Sequence, residues 1–263
     1  MEQPAGLSIE KMFSVKGKNV LITGGSRGIG EMIARSFVEN GANVYISARK
    51  ADACHALANE LSAIGTCVAL PADISQMDNL DQLVVRLGEK VSQLDVLVNN
   101  AGATWGAPLD EFTEANWDKV VDLNLKSIFF LTQKLLPLLR QAASVESPAR
   151  IINISSVNAL ISPKFETYSY SASKAGLIML TRHLARRLAN ENIFVNAIAP
   201  GYFATKMTAA TLSEIGDDAF VETPIPRAGR PEEIAGLAIY LSSRASGYTT
   251  GALVPCDGGF SEV

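Results

Sequence analysis

Seven short runs rich in Val, Ile and Leu recur along the chain, at 19–23, 43–48, 67–70, 95–99, 150–155, 193–199 and 252–256. Each run is apolar on both faces of an extended chain, so each needs cover on two sides. Between the runs, apolar residues fall three or four apart, as in Met32, Ile33 and Phe37 or Leu57, Leu61 and Ile64, which is the helical period. Strand and helix therefore alternate from end to end. This predicts a doubly wound α/β fold: a seven-stranded parallel sheet with helices on both faces and right-handed crossovers. No linker, repeat or low-complexity segment interrupts the pattern, so a single Rossmann-type domain is expected over 13–263. Residues 1–12, with Pro4 and Gly6, are expected to be a flexible tail. Long apolar-faced helices are expected at about 117–141 and 170–190.

Composition narrows the partners. With 48% hydrophobic and 19% charged residues in 263, the chain is too apolar for disorder. A net charge of -4, without a long run of one sign, argues against nucleic acid or an anionic membrane and leaves a small molecule or another protein. No run approaches a membrane span, and the first dozen residues carry Glu2 and Glu10 with no Arg, so a cytoplasmic location is expected. Cys54, Cys67 and Cys256 lack metal-ligand or CxxC spacing and read as reduced thiols. With only His55 and His183 a His-rich zinc centre is out of reach, and no metal is expected.

The first run passes directly into Thr23-Gly24-Gly25-Ser26-Arg27-Gly28-Ile29-Gly30 and then a helical pattern. Glycines between a first strand and a first helix allow positive φ and close backbone approach, so free N–H groups can meet a pyrophosphate. Gly24, Ser26, Arg27, Gly28, Ile29 and Gly30 are thus expected at a dinucleotide. At the end of the second run an NAD site usually carries Asp or Glu for the ribose 2′-OH. Here Ala48 is followed by Arg49 and Lys50. Two cations without an acid suit a 2′-phosphate, which Arg27 can clamp from the other side. The expected cofactor is NADP(H).

Further motifs complete a pattern. Asn99-Asn100-Ala101-Gly102 follows the fourth run, Asn124 lies in a helical stretch, Ser156 ends the fifth run, Tyr170-x-x-x-Lys174 follows, and Pro200-Gly201 precedes Thr205. With TGGSRGIG, these resemble the short-chain dehydrogenases/reductases over nearly the whole chain. NNAGATWG, SARK and the terminal DGGF are most similar to NADP-linked 3-oxoacyl-thioester reductases, including those of bacterial glycolipid synthesis, and to gluconate and other polyol dehydrogenases. The resemblance implies an NADP(H)-dependent oxidoreductase, usually a homotetramer. It implies a catalytic set of Asn124, Ser156, Tyr170 and Lys174, with Asn124 holding a water that passes protons toward Lys174. It also implies cofactor contacts from Asp73, which reaches the adenine, and from Ile74, Asn100, Ala101, Gly102, Tyr170, Lys174, Pro200, Gly201, Phe203 and Thr205.

The residues support the same chemistry independently. Reducing a ketone needs a proton donor at its oxygen, and a tyrosine serves both directions near pH 7 if a neighbouring ammonium lowers its pKa. On a helix Lys174 lies one turn from Tyr170 on the same face. Tyr202 and Lys206 share the spacing but fall in an expected loop, and Tyr168 has Ala172 four residues on. Ser155 and Ser156 reach the carboxyl edge of the sheet, where Ser156 suits the substrate oxygen and Ser155 the backbone. A hydrolase reading of Ser156 lacks a G-x-S-x-G elbow and a partner histidine. For Asn124 a buried amide satisfying helix carbonyls remains an equal alternative.

Phe203, Met207, Leu212, Ile215 and Phe220, between 202 and 226, either cover an acyl chain or pack on the core, and Trp105 either lines the pocket or supports it. The first reading is a reductase of the 3-oxo group of an acyl thioester. The alternatives are a polyol or gluconate dehydrogenase and, more remotely, a non-catalytic NADP-binding regulator.

Overall fold

The computed structural model describes residues 6–205, 208, 220 and 223–262. All seven expected strands are present: β1 (Asn19–Thr23), β2 (Asn43–Ser47), β3 (Cys67–Ala69), β4 (Val96–Asn99), β5 (Ala149–Ile154), β6 (Ile193–Pro200) and β7 (Leu253–Cys256). Their ends differ from the expectation by one residue at most. They pair only in parallel, in the order β3-β2-β1-β4-β5-β6-β7. The described helices are α1 (Ile9–Phe13), α2 (Gly28–Glu39), α3 (Ala51–Leu61), α4 (Met77–Gly88), α5 (Glu114–Val121), α6 (Ser127–Ala142), α7 (Tyr168–Leu188) and α8 (Pro231–Ser242).

Alternation along β1 divides the core into two layers. Val20 and Ile22 meet Ile33 and Phe37 of α2, Leu61 of α3 and Ile234 of α8 on one face. Leu21 turns to the other, with Leu83 of α4, Leu131 and Leu135 of α6 and Leu188 of α7. Each such side chain contributes roughly 1.5–3 kcal/mol on burial, so both layers are needed to hold a sheet that is apolar on both sides. Because β1 lies between β2 and β4, the strand order reverses there. A crevice opens at the carboxyl ends of these two strands.

Three expectations change. Residues 9–13 form a short helix rather than an unstructured end of the tail, with the Phe13 ring 6.3 Å from that of Tyr240. The helix expected at 170–190 begins at Tyr168 and ends at Leu188 in a 3₁₀ turn, Ala189–Glu191. The long helix expected at 117–141 is divided by a π-helical turn, Asp122–Lys126, between α5 and α6. One extra residue in that turn carries Asn124 inward, an irregularity frequent at functional sites.

Candidate active site

The glycine turn closes against the end of β4. Gly24 has φ +64°, and a Cβ there would lie 2.8 Å from Asn100 Nδ2 and 2.9 Å from Ala101 Cα. Asn100 Nδ2 donates to the Thr23 and Gly24 carbonyls at 2.9 and 3.1 Å, while Thr23 Oγ1 accepts the N–H groups of Asn100 and Ala101, each at 3.0 Å. Asn100 and Ala101 thus bind the two strand ends together. Thr23, which opens the glycine motif but was given no role of its own, is the hub of that junction.

Helix α2 starts at Gly28, φ +56°, with no side chain capping it. Its first N–H groups have no intrahelical partner and face an anion-binding position. Arg27, Arg49 and Lys50 are exposed around this turn, and no carboxylate stands at the end of β2. Free N–H groups, a backbone surface that a Cβ would obstruct, and cations in place of an acid together fit an NADP-type dinucleotide.

Other expected cofactor residues divide by what their side chains do. Ile74 is buried in the core, which leaves only its backbone to face a ligand, and one Asp73 carboxylate oxygen accepts the N–H and hydroxyl of Ser75. Gly201 packs so tightly on Asp257 that a Cβ would come within 2.8 Å. Thr205 exchanges hydrogen bonds with Thr208 and lies over Gly28. Phe203 is 2% exposed and packs on Gly229 in the core, which rules its side chain out as cover for a substrate. Lys206, Met207, Leu212 and Ile215 lie outside the described residues. Phe220 stacks edge-on against Tyr202 at 6.0 Å.

Ser156, Tyr170 and Lys174 converge at the carboxyl end of β5. The Ser156 hydroxyl lies beside the Tyr170 phenol and favours its charged form. Lys174 is 3% exposed, donates from Nζ to the Ile154 carbonyl at 2.7 Å, and has its ammonium 5.8 Å from the centre of the Tyr170 ring. Ser155 Oγ donates to the Lys174 carbonyl at 3.0 Å, the backbone role expected of it. Burial pulls Lys174 down to about 8.

Burial also pushes the Tyr170 phenol above its ordinary value, and the Ser156 hydroxyl opposes this only in part. Burial is thus the leading influence on this tyrosine in the free protein, ahead of any lowering by the ammonium. Lys174 is buried and Tyr170 partly so, desolvation leads at each, and the lysine nitrogen is tied to a carbonyl.

Asn124 is fully buried and both of its amide hydrogens are engaged. Oδ1 accepts the Ala103 N–H at 2.8 Å, and Nδ2 donates to the Ala103 carbonyl at 2.9 Å and to Ser173 Oγ at 3.1 Å. Both amide hydrogens are thereby committed, neither to a helix carbonyl, while Oδ1 keeps a second lone pair. The side chain clamps the loop after β4. A Cβ on Gly102, the residue before that clamp, would lie 3.2 Å from Asn124 Oδ1 and 3.5 Å from Lys174 Nζ.

Trp105, in the same loop, carries the Lys119 ammonium 4.5 Å above its ring, and its buried Nε1 has no partner among the described residues. Tyr168 lies edge-on to Phe112 at 5.7 Å, on the surface side of the helix.

This strand order, with a nucleotide cradle at the switch point and a Ser, Tyr and Lys set beside it, defines an oxidoreductase class. The chain belongs to the short-chain dehydrogenase/reductase family: the family model for Enoyl-(Acyl carrier protein) reductase matches residues 24–261. Within that family it is 48% identical over 252 residues to a Rhamnolipids biosynthesis 3-oxoacyl-(acyl-carrier-protein) reductase of Pseudomonas aeruginosa, covering 94% of this chain and 98% of the relative. It is 36% identical over 252 residues to a 5-keto-D-gluconate 5-reductase of Escherichia coli K12, covering 94% and 97%. The solved Pseudomonas aeruginosa RhlG/NADP active-site complex superposes with a TM-score of 0.92 at 47% identity, covering 95% of this chain and 99% of that one.

Proposed function

We propose that this protein is an NADPH-dependent reductase that converts the 3-oxo group of an acyl thioester to a 3-hydroxyacyl product. The observation that carries the reading is the convergence of Ser156, Tyr170 and Lys174 at the carboxyl end of β5, beside a cradle suited to a phosphorylated dinucleotide. A reductase needs its tyrosine in the acid form. The N–H groups at the start of α2, Arg27 and Arg49 hold the cofactor, and NADPH, when bound, supplies the hydride.

The chain's own groups then act on the ketone oxygen. Ser156 and Tyr170 present hydroxyls to it, and Tyr170 gives up its proton as negative charge develops there. The Lys174 ammonium stabilises the phenolate that remains, and its bond to the Ile154 carbonyl keeps it at the base of the tyrosine.

The likeness to a 5-keto-D-gluconate reductase supports a keto sugar as the second reading. NADPH consumption against 3-oxoacyl thioesters of increasing length and against 5-keto-gluconate separates the two. An acyl chain buried on apolar surface gains about 0.8 kcal/mol per CH₂, so kcat/KM should rise several-fold per methylene. A flat series with faster turnover of the keto sugar overturns the thioester assignment.

No helix among the described residues is long and apolar enough to cross a membrane; we propose a cytoplasmic site of action. We also propose a homotetramer. An apolar groove of about 410 Å³ lies between the π turn, α6 and α7, lined by Val121, Leu125, Phe129, Phe130 and Leu180. Gly176 lets Leu125 approach the α7 backbone, which flattens this face for pairing by a two-fold axis.

A further inference from the structure

We propose that Ser173 is a positioning residue for the reduction, one that ties the helix of Tyr170 and Lys174 to the loop walling the Lys174 ammonium. The inference rests on the ketoreductase reading and extends it to a residue outside the expected catalytic set.

The Ser173 hydroxyl is 1% exposed and joins two elements. It donates to the Tyr170 carbonyl at 2.8 Å, and because a carbonyl can only accept, its own hydrogen is committed there. Ser173 therefore offers Asn124 a lone pair, which Nδ2 meets at 3.1 Å. The second Nδ2 hydrogen goes to the Ala103 carbonyl and Oδ1 takes the Ala103 N–H. One continuous chain of hydrogen bonds thus runs from the Tyr170 backbone through Ser173 and Asn124 to Ala103.

A Cβ on Gly102, next to Ala103, would sit 3.5 Å from Lys174 Nζ, in van der Waals contact, so this loop lies against the ammonium. The placement of this loop sets how dry the ammonium is. Without the hydroxyl, one Nδ2 hydrogen is left unpaired at full burial, so the amide must shift and the loop with it. Displacements of about 1 Å near a reacting centre can cost as much as a hundredfold in rate.

The test compares the native protein with Ser173→Ala and with Ser173→Thr, which keeps a hydroxyl able to reach the same carbonyl. In Ser173→Ala, kcat should fall about tenfold to a hundredfold while the ketone KM and the NADPH affinity stay within threefold. In the free protein two readouts should move with it: the Asn124 side-chain amide resonances in a ¹⁵N spectrum, and the Lys174 titration midpoint, by about half a pH unit or more. Ser173→Thr should retain the native amide resonances and most of kcat. Unchanged kcat in Ser173→Ala, a loss confined to melting temperature or KM, or resonances and a Lys174 midpoint that do not move, each overturns the proposal. If the native protein reduces no ketone, the functional reading fails separately, and the measurements on the free protein still decide the role of Ser173.

Discussion

The Lys174 ammonium donates to the Ile154 carbonyl at 2.7 Å and lies 5.8 Å from the centre of the Tyr170 ring. The end of β5 thereby grips the lysine from beneath, while Ser156, two residues after Ile154, lies beside the tyrosine hydroxyl. Acid and cation are positioned by the same three residues of strand end, so their separation follows the backbone of β5 rather than flexible side chains.

With burial as the leading influence, the Tyr170 phenol of the free protein should not ionise below about pH 10, the ordinary tyrosine value. Phenolate absorbance near 295 nm, native minus Tyr170→Phe, measures it directly. A component titrating near pH 7 would show that Lys174 dominates after all.

Lys174 gives stability a pH dependence of known sign. Its folded value, about 8, lies below the ordinary 10.5, so the full cost of burying the charge is present below about pH 8 and is relieved as pH rises toward 10.5. The native protein should gain on Lys174→Met across that window, by roughly 3 kcal/mol at most. Urea midpoints at pH 7 and pH 10 check this, and a difference that stays constant contradicts a buried charged lysine.

Arg49, exposed at the end of β2 with no carboxylate paired to it among the described residues, should make NADPH preferred over NADH by at least tenfold in kcat/KM. A charge-assisted hydrogen bond contributes about 1.5–3 kcal/mol, enough for that ratio. In Arg49→Asp the preference should vanish or reverse. The same ratio in both proteins would remove Arg49 from the site.

Tyr170→Phe should lose about 10²–10⁴ in reduction rate while retaining NADPH binding, since only the proton donor is gone. Tyr168→Phe, whose ring stacks on Phe112 outside the Ser156 contact, should keep substantial activity. Cofactor titration by fluorescence alongside steady-state rates distinguishes the two, and an inactive Tyr168→Phe with an active Tyr170→Phe reverses the assignment.

Light scattering at micromolar concentration should give the mass of four chains, and a charge placed in the groove at Phe129→Asp should shift the mass downward. A native monomer refutes the tetramer.

What the sequence determined by itself was set by local rules. Strands apolar on both faces must be interior to a covered parallel sheet, so β1 to β7 were legible within a residue. The glycine turn was legible because its placement between strand and helix carries the nucleotide chemistry. Tyr170 and Lys174 were legible because an i, i+4 pair shares one helix face.

The tertiary structure alone decided the rest. Asn124 sits in a π turn that the apolar pattern of Val120, Leu123, Ile128 and Leu131 does not reveal, since one inserted residue barely disturbs a periodicity near 3.6. Phe203 reads equally as a cover or as core until its bridge to Gly229 places it inside. Thr23 and Ser173 are ordinary residues in sequence, and each acquires its role from a partner more than forty positions away. The Tyr170 shift depends on how much water two converging elements exclude. Local spacing encodes which groups share a face; desolvation and hydrogen-bond closure depend on what the folded chain brings against that face.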